Sequence, residues 1–126
     1  MSPTPVPVMP VLLVMLGLLF ASRAAGAADK TFELTIARGT LPAEQRLLRV
    51  NKGDAVRLRV TSDAPGEIHL HGYRLEAKLA PGVPAEIAFQ AHATGRFRLE
   101  WHPAGETAKS GSHHGPPPAI LEVRPR

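Results

Sequence analysis

The chain has 126 residues, of which 44% are hydrophobic, 21% charged and 5% aromatic, with a formal net charge of +4. That composition is globular, excludes the disordered and coiled-coil classes, and at this length leaves room for one domain. Cysteine is absent, which excludes a disulfide scaffold, a thiolate-held zinc or iron–sulfur site, a thiol nucleophile and a thiolate-bound blue-copper centre.

The first segment has the pattern of an export signal. Val11 to Phe20 is an uncharged apolar run, preceded by Val6 to Pro10 and followed by small residues that end in Ala25-Gly26-Ala27, an A-x-A cleavage pattern. The run is shorter than the roughly 20 residues a transmembrane helix needs, and Pro3, Pro5, Pro7 and Pro10 would interrupt a longer one. Residues 1–27 are therefore expected to be a secretory signal peptide, and residues 28–126 a periplasmic or secreted domain with no membrane association once the leader is removed. Met1 to Pro10 lacks Lys and Arg, so a retained membrane anchor is the alternative. Cleavage after Ala27 leaves 99 residues and, with Arg23 gone, a formal charge of +3. A domain of that size can bury a modest core without staples.

Past the leader, apolar residues recur with period two, the mark of half-buried strands. Phe32, Leu34 and Ile36 alternate with Glu33 and Thr35; Val56, Leu58 and Val60 with Arg57 and Arg59; Ile68 and Leu70 with His69 and His71; Leu75, Ala77 and Leu79 with Glu76 and Lys78. Ile87 and Phe89 flank Ala88, Phe97, Leu99 and Trp101 alternate with Arg98 and Glu100, and Leu121 and Val123 flank Glu122. Turn chemistry separates these runs at Asn51-Lys52-Gly53-Asp54, Asp63-Ala64-Pro65-Gly66, Pro81-Gly82-Val83-Pro84 and Ala93-Thr94-Gly95. Only Pro42 to Leu48 could hold a helical turn. The fold class is therefore all-β, a sandwich or small barrel of seven or eight short strands. Pro103 to Pro118 has four prolines, three glycines and no apolar rhythm, so a long exposed loop is expected between the last two strands. Arg46, Arg49, Arg57, Arg59, Arg74, Arg96 and Arg98 are scattered without interleaved stacking aromatics. They read as a solvated strand face, and no nucleic-acid partner is expected.

Six histidines in so small a domain raise the question of metal. His69 and His71 lie two apart in a strand and so share a face, opposite to Ile68 and Leu70. In the later strand the inward set Phe97, Leu99 and Trp101 sends Glu100 and His102 outward. If the two strands are neighbours, His69, His71 and His102 can converge on one ion, with Glu100 as a weak ligand or an orienting acceptor. Such a cluster suits copper(II), with zinc second on intrinsic affinity. The bland alternative is a set of surface histidines that never meet. His113 and His114, in the long loop, are candidates to close over the site or to hold a second ion, against the plainer reading of a solvated loop. His92 has no evident role. Metal held by neutral imidazoles should be released as pH falls below about 6.

Arg46 to Tyr73 (RLLRVNKGDAVRLRVTSDAPGEIHLHGY) resembles the start of a cupredoxin domain: a strand, a Gly-Asp turn, an alternating strand, a polar loop and then the first copper-ligand histidine. Leu79-Ala80-Pro81-Gly82, the Ile87 and Phe89 strand, Gly95 to Leu99 and Ile120 to Val123 resemble the remainder, so the resemblance spans nearly all of residues 28–126. It implies a Greek-key β-sandwich. Blue-copper members carry a cysteine where this chain has Trp101, followed by His and often Met; here there is no methionine beyond the leader. The resemblance therefore carries over His69 as a ligand position but not electron transfer. Multicopper oxidases, built on the same fold, use H-x-H-G and a later G-x-aromatic-x-x-H-x-H segment. His69-Leu70-His71-Gly72 is similar to the first, and Gly95 to His102 (GRFRLEWH) to the second, with Glu100 replacing a histidine. The oxidases complete that cluster from another domain, so oxidase activity is not implied. The combined expectation is a cupredoxin-like protein that is not an enzyme, binds copper through histidines as a carrier, buffer or accessory, and has a metal ion and another periplasmic protein as partners. Two rivals stand beside it. One is a metal-free interaction module that docks a partner on the outward face of His69, His71 and Arg98; the other is a small oxidase that completes its cluster across an oligomer interface.

Overall fold

The structure is a computed structural model and describes residues 2–5, 26–105 and 118–126. Among them are eight strands and no α-helix: β1 (Asp29–Ile36), β2 (Leu47–Asn51), β3 (Ala55–Ser62), β4 (Gly66–Leu70), β5 (Leu75–Leu79), β6 (Ala85–Gln90), β7 (Gly95–Pro103) and β8 (Ala119–Arg124). The helical turn expected within Pro42 to Leu48 is one 3-10 turn, Ala43–Gln45. The expected cleavage region up to Ala25 and the loop histidines His113 and His114 lie outside the described residues, as does most of the Pro103 to Pro118 segment.

The strands form two sheets, ordered β1-β3-β6 and β2-β8-β7-β4-β5. β1 runs parallel to β3 and β2 parallel to β8; β3–β6, β8–β7, β7–β4 and β4–β5 are antiparallel. Alternation along each strand sends one set of side chains between the sheets, as the period-two pattern requires. Leu34, Ile36, Leu58, Val60, Ile68, Leu70, Leu99 and Leu121 are at most 1% exposed and form the centre of the core. Each such side chain contributes about 1.5–3 kcal/mol on leaving water, which is what selects this register over a one-residue slip. Tyr73, in the turn after β4, also joins the core. Its hydroxyl donates to the Ala93 carbonyl at 2.9 Å and accepts from the Ala93 N–H at 3.2 Å, and its ring packs against Phe89, His92 and Phe97.

Two local devices fix strand ends. At the Asn51–Asp54 turn the Asp54 carboxylate is fully buried. It accepts from the Asn51 N–H at 2.9 Å, the Ala28 N–H at 3.1 Å and the Arg126 guanidinium at 2.8 Å. The Asn51 amide, followed by the Ala28 amide and Arg126, holds this carboxyl below its ordinary value against the opposing effect of burial. The second device is Gly66, opposite Pro103 in the β4–β7 register. A Cβ at this position would lie 2.5 Å from the His102 carbonyl oxygen and 2.5 Å from the Trp101 ring. Glycine is what lets the end of β7 approach β4 this closely.

Candidate metal site

The β4–β7 register pairs Glu67 with His102 and His69 with Glu100, and the β4–β5 register pairs His69 with Glu76 and Glu67 with Lys78. Directly opposed residues of antiparallel strands project from the same face. Since Ile68, Leu70, Leu99 and Trp101 are buried, their neighbours Glu67, His69, Glu100 and His102 must emerge on the outer face of the five-stranded sheet. The His71 N–H donates to the Arg98 carbonyl at 2.9 Å. This carries the pairing one step past β4 and keeps His71 on that same face. The two strands are thus neighbours, and the three histidines share one face of the sheet.

Within the group, the donor atoms of His71, Glu100 and His102 all lie within 4.8 Å of one another. Glu100 is the hub. Its Oε2 stands 3.0 Å from His71 Nε2 and 3.6 Å from His102 Nε2, while its other oxygen is 3.2 Å from Arg98 Nε. The Glu100 side chain is only 22% exposed, against 53% for His71 and 36% for His102. The least exposed of the three, the Glu100 carboxylate, thus sits between the exposed His71 ring and the half-buried His102 ring.

His69 occupies a different place. Its Nε2 is 3.4 Å from Glu67 and its Nδ1 3.6 Å from Glu76, so each ring nitrogen faces a carboxylate. The ring meets His102 edge-on at a centroid distance of 4.7 Å and lies 6.4 Å from the His71 ring. The sequence reading named His69 and His71 first, His102 third and Glu100 as an auxiliary; the geometry gathers His71, Glu100 and His102, with His69 alongside. Arg98 is on this face as expected, but its anchoring of Glu100 and the flanking of His69 by Glu67 and Glu76 are new. Their signal was present in the same alternation, once β5 and β7 are known to flank β4.

Donors sharing one ion at bond lengths of about 2.0–2.2 Å lie roughly 3–4 Å apart. A spread of up to 4.8 Å therefore needs only a small approach of these side chains to close on one ion. Two imidazole nitrogens and one carboxylate oxygen suit copper(II) and zinc(II). Glu67, Glu76 and Glu100 outnumber Arg98 and Lys78 on this patch, which favours a cation.

No protein-family model matches the chain, and no curated protein matches it in sequence. Solved structures match it in fold. A heme-copper terminal oxidase, solved as a dimer by cryo-EM, is 18% identical with a TM-score of 0.59 over 76% of this chain and 65% of that one. The blue copper oxidase from Nitrosomonas europaea is 20% identical, with a TM-score of 0.56 over 78% of this chain and 39% of its own. A multi-copper oxidase from Pseudomonas thermotolerans is 22% identical, with a TM-score of 0.56 over 80% and 31%. The chain spans less than two thirds of the length of each. At these identities the likeness is one of fold: the protein is a cupredoxin-like Greek-key β-sandwich of eight strands.

Proposed function

We propose that this protein is an exported copper-binding domain that holds copper(II) through His71, His102 and Glu100, and that it serves as a carrier, buffer or accessory rather than an enzyme or a blue-copper electron carrier. The observation that carries the reading is the convergence of those three donors on the outer face of a cupredoxin-like sandwich. Structural neighbours described as multicopper, blue copper and heme-copper oxidases support copper as the metal. Without cysteine the site has only nitrogen and oxygen donors, which favours the divalent ion over copper(I). Glu100, anchored by Arg98, supplies negative charge, and the His71 and His102 imidazoles supply the nitrogen donors. A site open on a sheet face suits loading and unloading more than permanent retention. Export to the periplasm rests on the leader pattern; among the described residues no helix is long and apolar enough to cross a membrane.

Isothermal titration of the purified protein with copper(II), alongside its electron paramagnetic resonance spectrum, tests this. One ion per chain at micromolar affinity or better is expected, with nitrogen hyperfine structure from two imidazoles. His71→Ala and His102→Ala should each weaken binding severely. Absence of binding at micromolar copper would favour the metal-free interaction module. Undiminished binding in the double variant would move the metal to His113 and His114 and overturn the site.

A further inference from the structure

The Asp54 carboxylate is used by nothing in the metal site, yet it is fully buried and accepts three hydrogen bonds. One of its donors is the backbone nitrogen of Ala28, 3.1 Å from Oδ1, the residue directly after the A-x-A pattern Ala25-Gly26-Ala27. Ala28 is held from its other side too, since its carbonyl accepts from the Ala55 N–H at 2.9 Å. Gly26, Ala27 and Ala28 are exposed, so the chain is open to a peptidase just where the fold grips it.

We infer that the Ala27–Ala28 bond is a processing site whose product the fold recognises, the new α-ammonium of Ala28 forming an ion pair with buried Asp54. In the cleavage, water attacks the Ala27 carbonyl, the C–N bond breaks, Ala27 leaves as a carboxylate, and the Ala28 nitrogen takes up protons to become an ammonium. The agent required is an export peptidase that accepts small residues at the A-x-A positions. Before cleavage the Ala28 nitrogen offers Asp54 one neutral N–H. Afterwards it offers a full positive charge at the same distance, and a hydrogen bond between ionised groups is roughly twice as strong as a neutral one.

Asp54 contacts the Ala28 nitrogen and Arg126 contacts Asp54; the nearest charged residues along the chain are Asp29 and Lys30 on β1 and Lys52 in the adjoining turn. Arg126 donates to the same Asp54 oxygen at 2.8 Å, but its guanidinium charge is delocalised and also reaches the Lys52 carbonyl. Asp54 is the charged group in hydrogen-bond contact with the Ala28 nitrogen, at 3.1 Å, and opposite charges attract most strongly at contact. Processing at any other bond would leave the amine away from this carboxylate, so Asp54 favours one mature terminus over its neighbours.

The test exports the full chain from a bacterium and determines the mature terminus by intact mass. The Ala28 methyl signal is then followed by NMR against pH. The mature protein should begin at Ala28, and its amine should bind protons at least tenfold more tightly than an ordinary terminus, whose pKa is about 7.7–8.0. A second form carries one serine inserted between Ala27 and Ala28, which keeps the cleavage motif and moves the amine out by one residue. It should melt about 5 °C lower at pH 6. Because the ammonium's pKa is raised in the folded protein, the stabilisation is complete below about pH 8, and the difference between the two forms should vanish above about pH 10. A mature terminus elsewhere, an amine that titrates in its ordinary range, or a melting difference that does not change with pH would each overturn the inference. The amine titration needs no variant, so it stands whether or not the inserted form folds.

Discussion

Replacing Gly66 with alanine probes how the fold builds the site. The added Cβ would sit 2.5 Å from the His102 carbonyl oxygen and from Trp101 Cη2, and 2.8 Å from Trp101 Cζ2, whereas ordinary contacts begin at 3.4 Å. An intrusion of about 0.9 Å must be relieved by movement. The indole can give a little, but the carbonyl is backbone and is fastened next door by the Ala104 N–H donating to the Pro65 carbonyl at 2.9 Å. Relief therefore means lifting the end of β7 away from β4. Overpacking of this kind costs about 1–3 kcal/mol, which in a domain of about 100 residues lowers the melting temperature by about 5–20 °C. The same displacement shifts His102 relative to Glu67 and His69 on β4 and disturbs its alignment with His71 and Glu100, so copper affinity should fall even though no donor has been removed. Thermal melting followed by circular dichroism, with copper titration of the folded variant, measures both effects. Gly82→Ala is the control: its φ is +70° but nothing lies within 4 Å, so it should lose some stability to backbone strain and keep its copper affinity. If Gly66→Ala melted within about 2 °C of the parent and bound copper unchanged, the close approach of β7 would not depend on glycine and the reasoning would fail.

Tyr73→Phe removes a hydroxyl that serves both the N–H and the carbonyl of Ala93; urea denaturation should show a loss of about 1–3 kcal/mol. Leu99→Ala, at a fully buried position of β7, should cost about 2–5 kcal/mol in the same assay. Asp54 has a folded-state value lowered from 3.8, so its charge contributes stability that is complete above about pH 5 and is lost as pH falls through the lowered value. Asp54→Asn should therefore be the less stable protein at neutral pH but show a shallower decline between pH 5 and 2 in a melting series. Equal slopes for the two proteins would remove Asp54 from the acid limb.

Much of the fold was written in the alternation of single strands. Ile68 and Leu70 against His69 and His71, or Leu99 and Trp101 against Glu100 and His102, fix which side of a strand faces the core, because burying the other side would place charges between the sheets. Alternation says nothing about which strand lies next to which. The parallel pairing of β1 with β3 and of β2 with β8 depends on contacts far apart in sequence, and no local signal encodes it. Tyr73 escaped for a related reason: a single aromatic in a turn has no period to reveal it, and its burial follows from the cluster of Phe89, His92 and Phe97 around it.

For the site, parity identified the face and the register decided the partners. Three histidines on one surface were legible. That Glu100 would sit between His71 and His102 while His69 was flanked by Glu67 and Glu76 depended on β7 lying on one side of β4 and β5 on the other, which the spacing of H-x-H does not contain. The difference has a measurable consequence. If the donors are those that converge, His69→Ala removes only an edge-on neighbour of His102, and the loss of such a supporting contact weakens metal binding by roughly tenfold. One ion per chain should remain. His71→Ala, by contrast, deletes a donor and should reduce affinity far more. Copper titration of the two variants side by side distinguishes the arrangements. If His69→Ala abolished binding as completely as His71→Ala, the His69 ring would have to turn from its two carboxylates to take the metal, and the convergence seen without metal would be the wrong guide to the bound state.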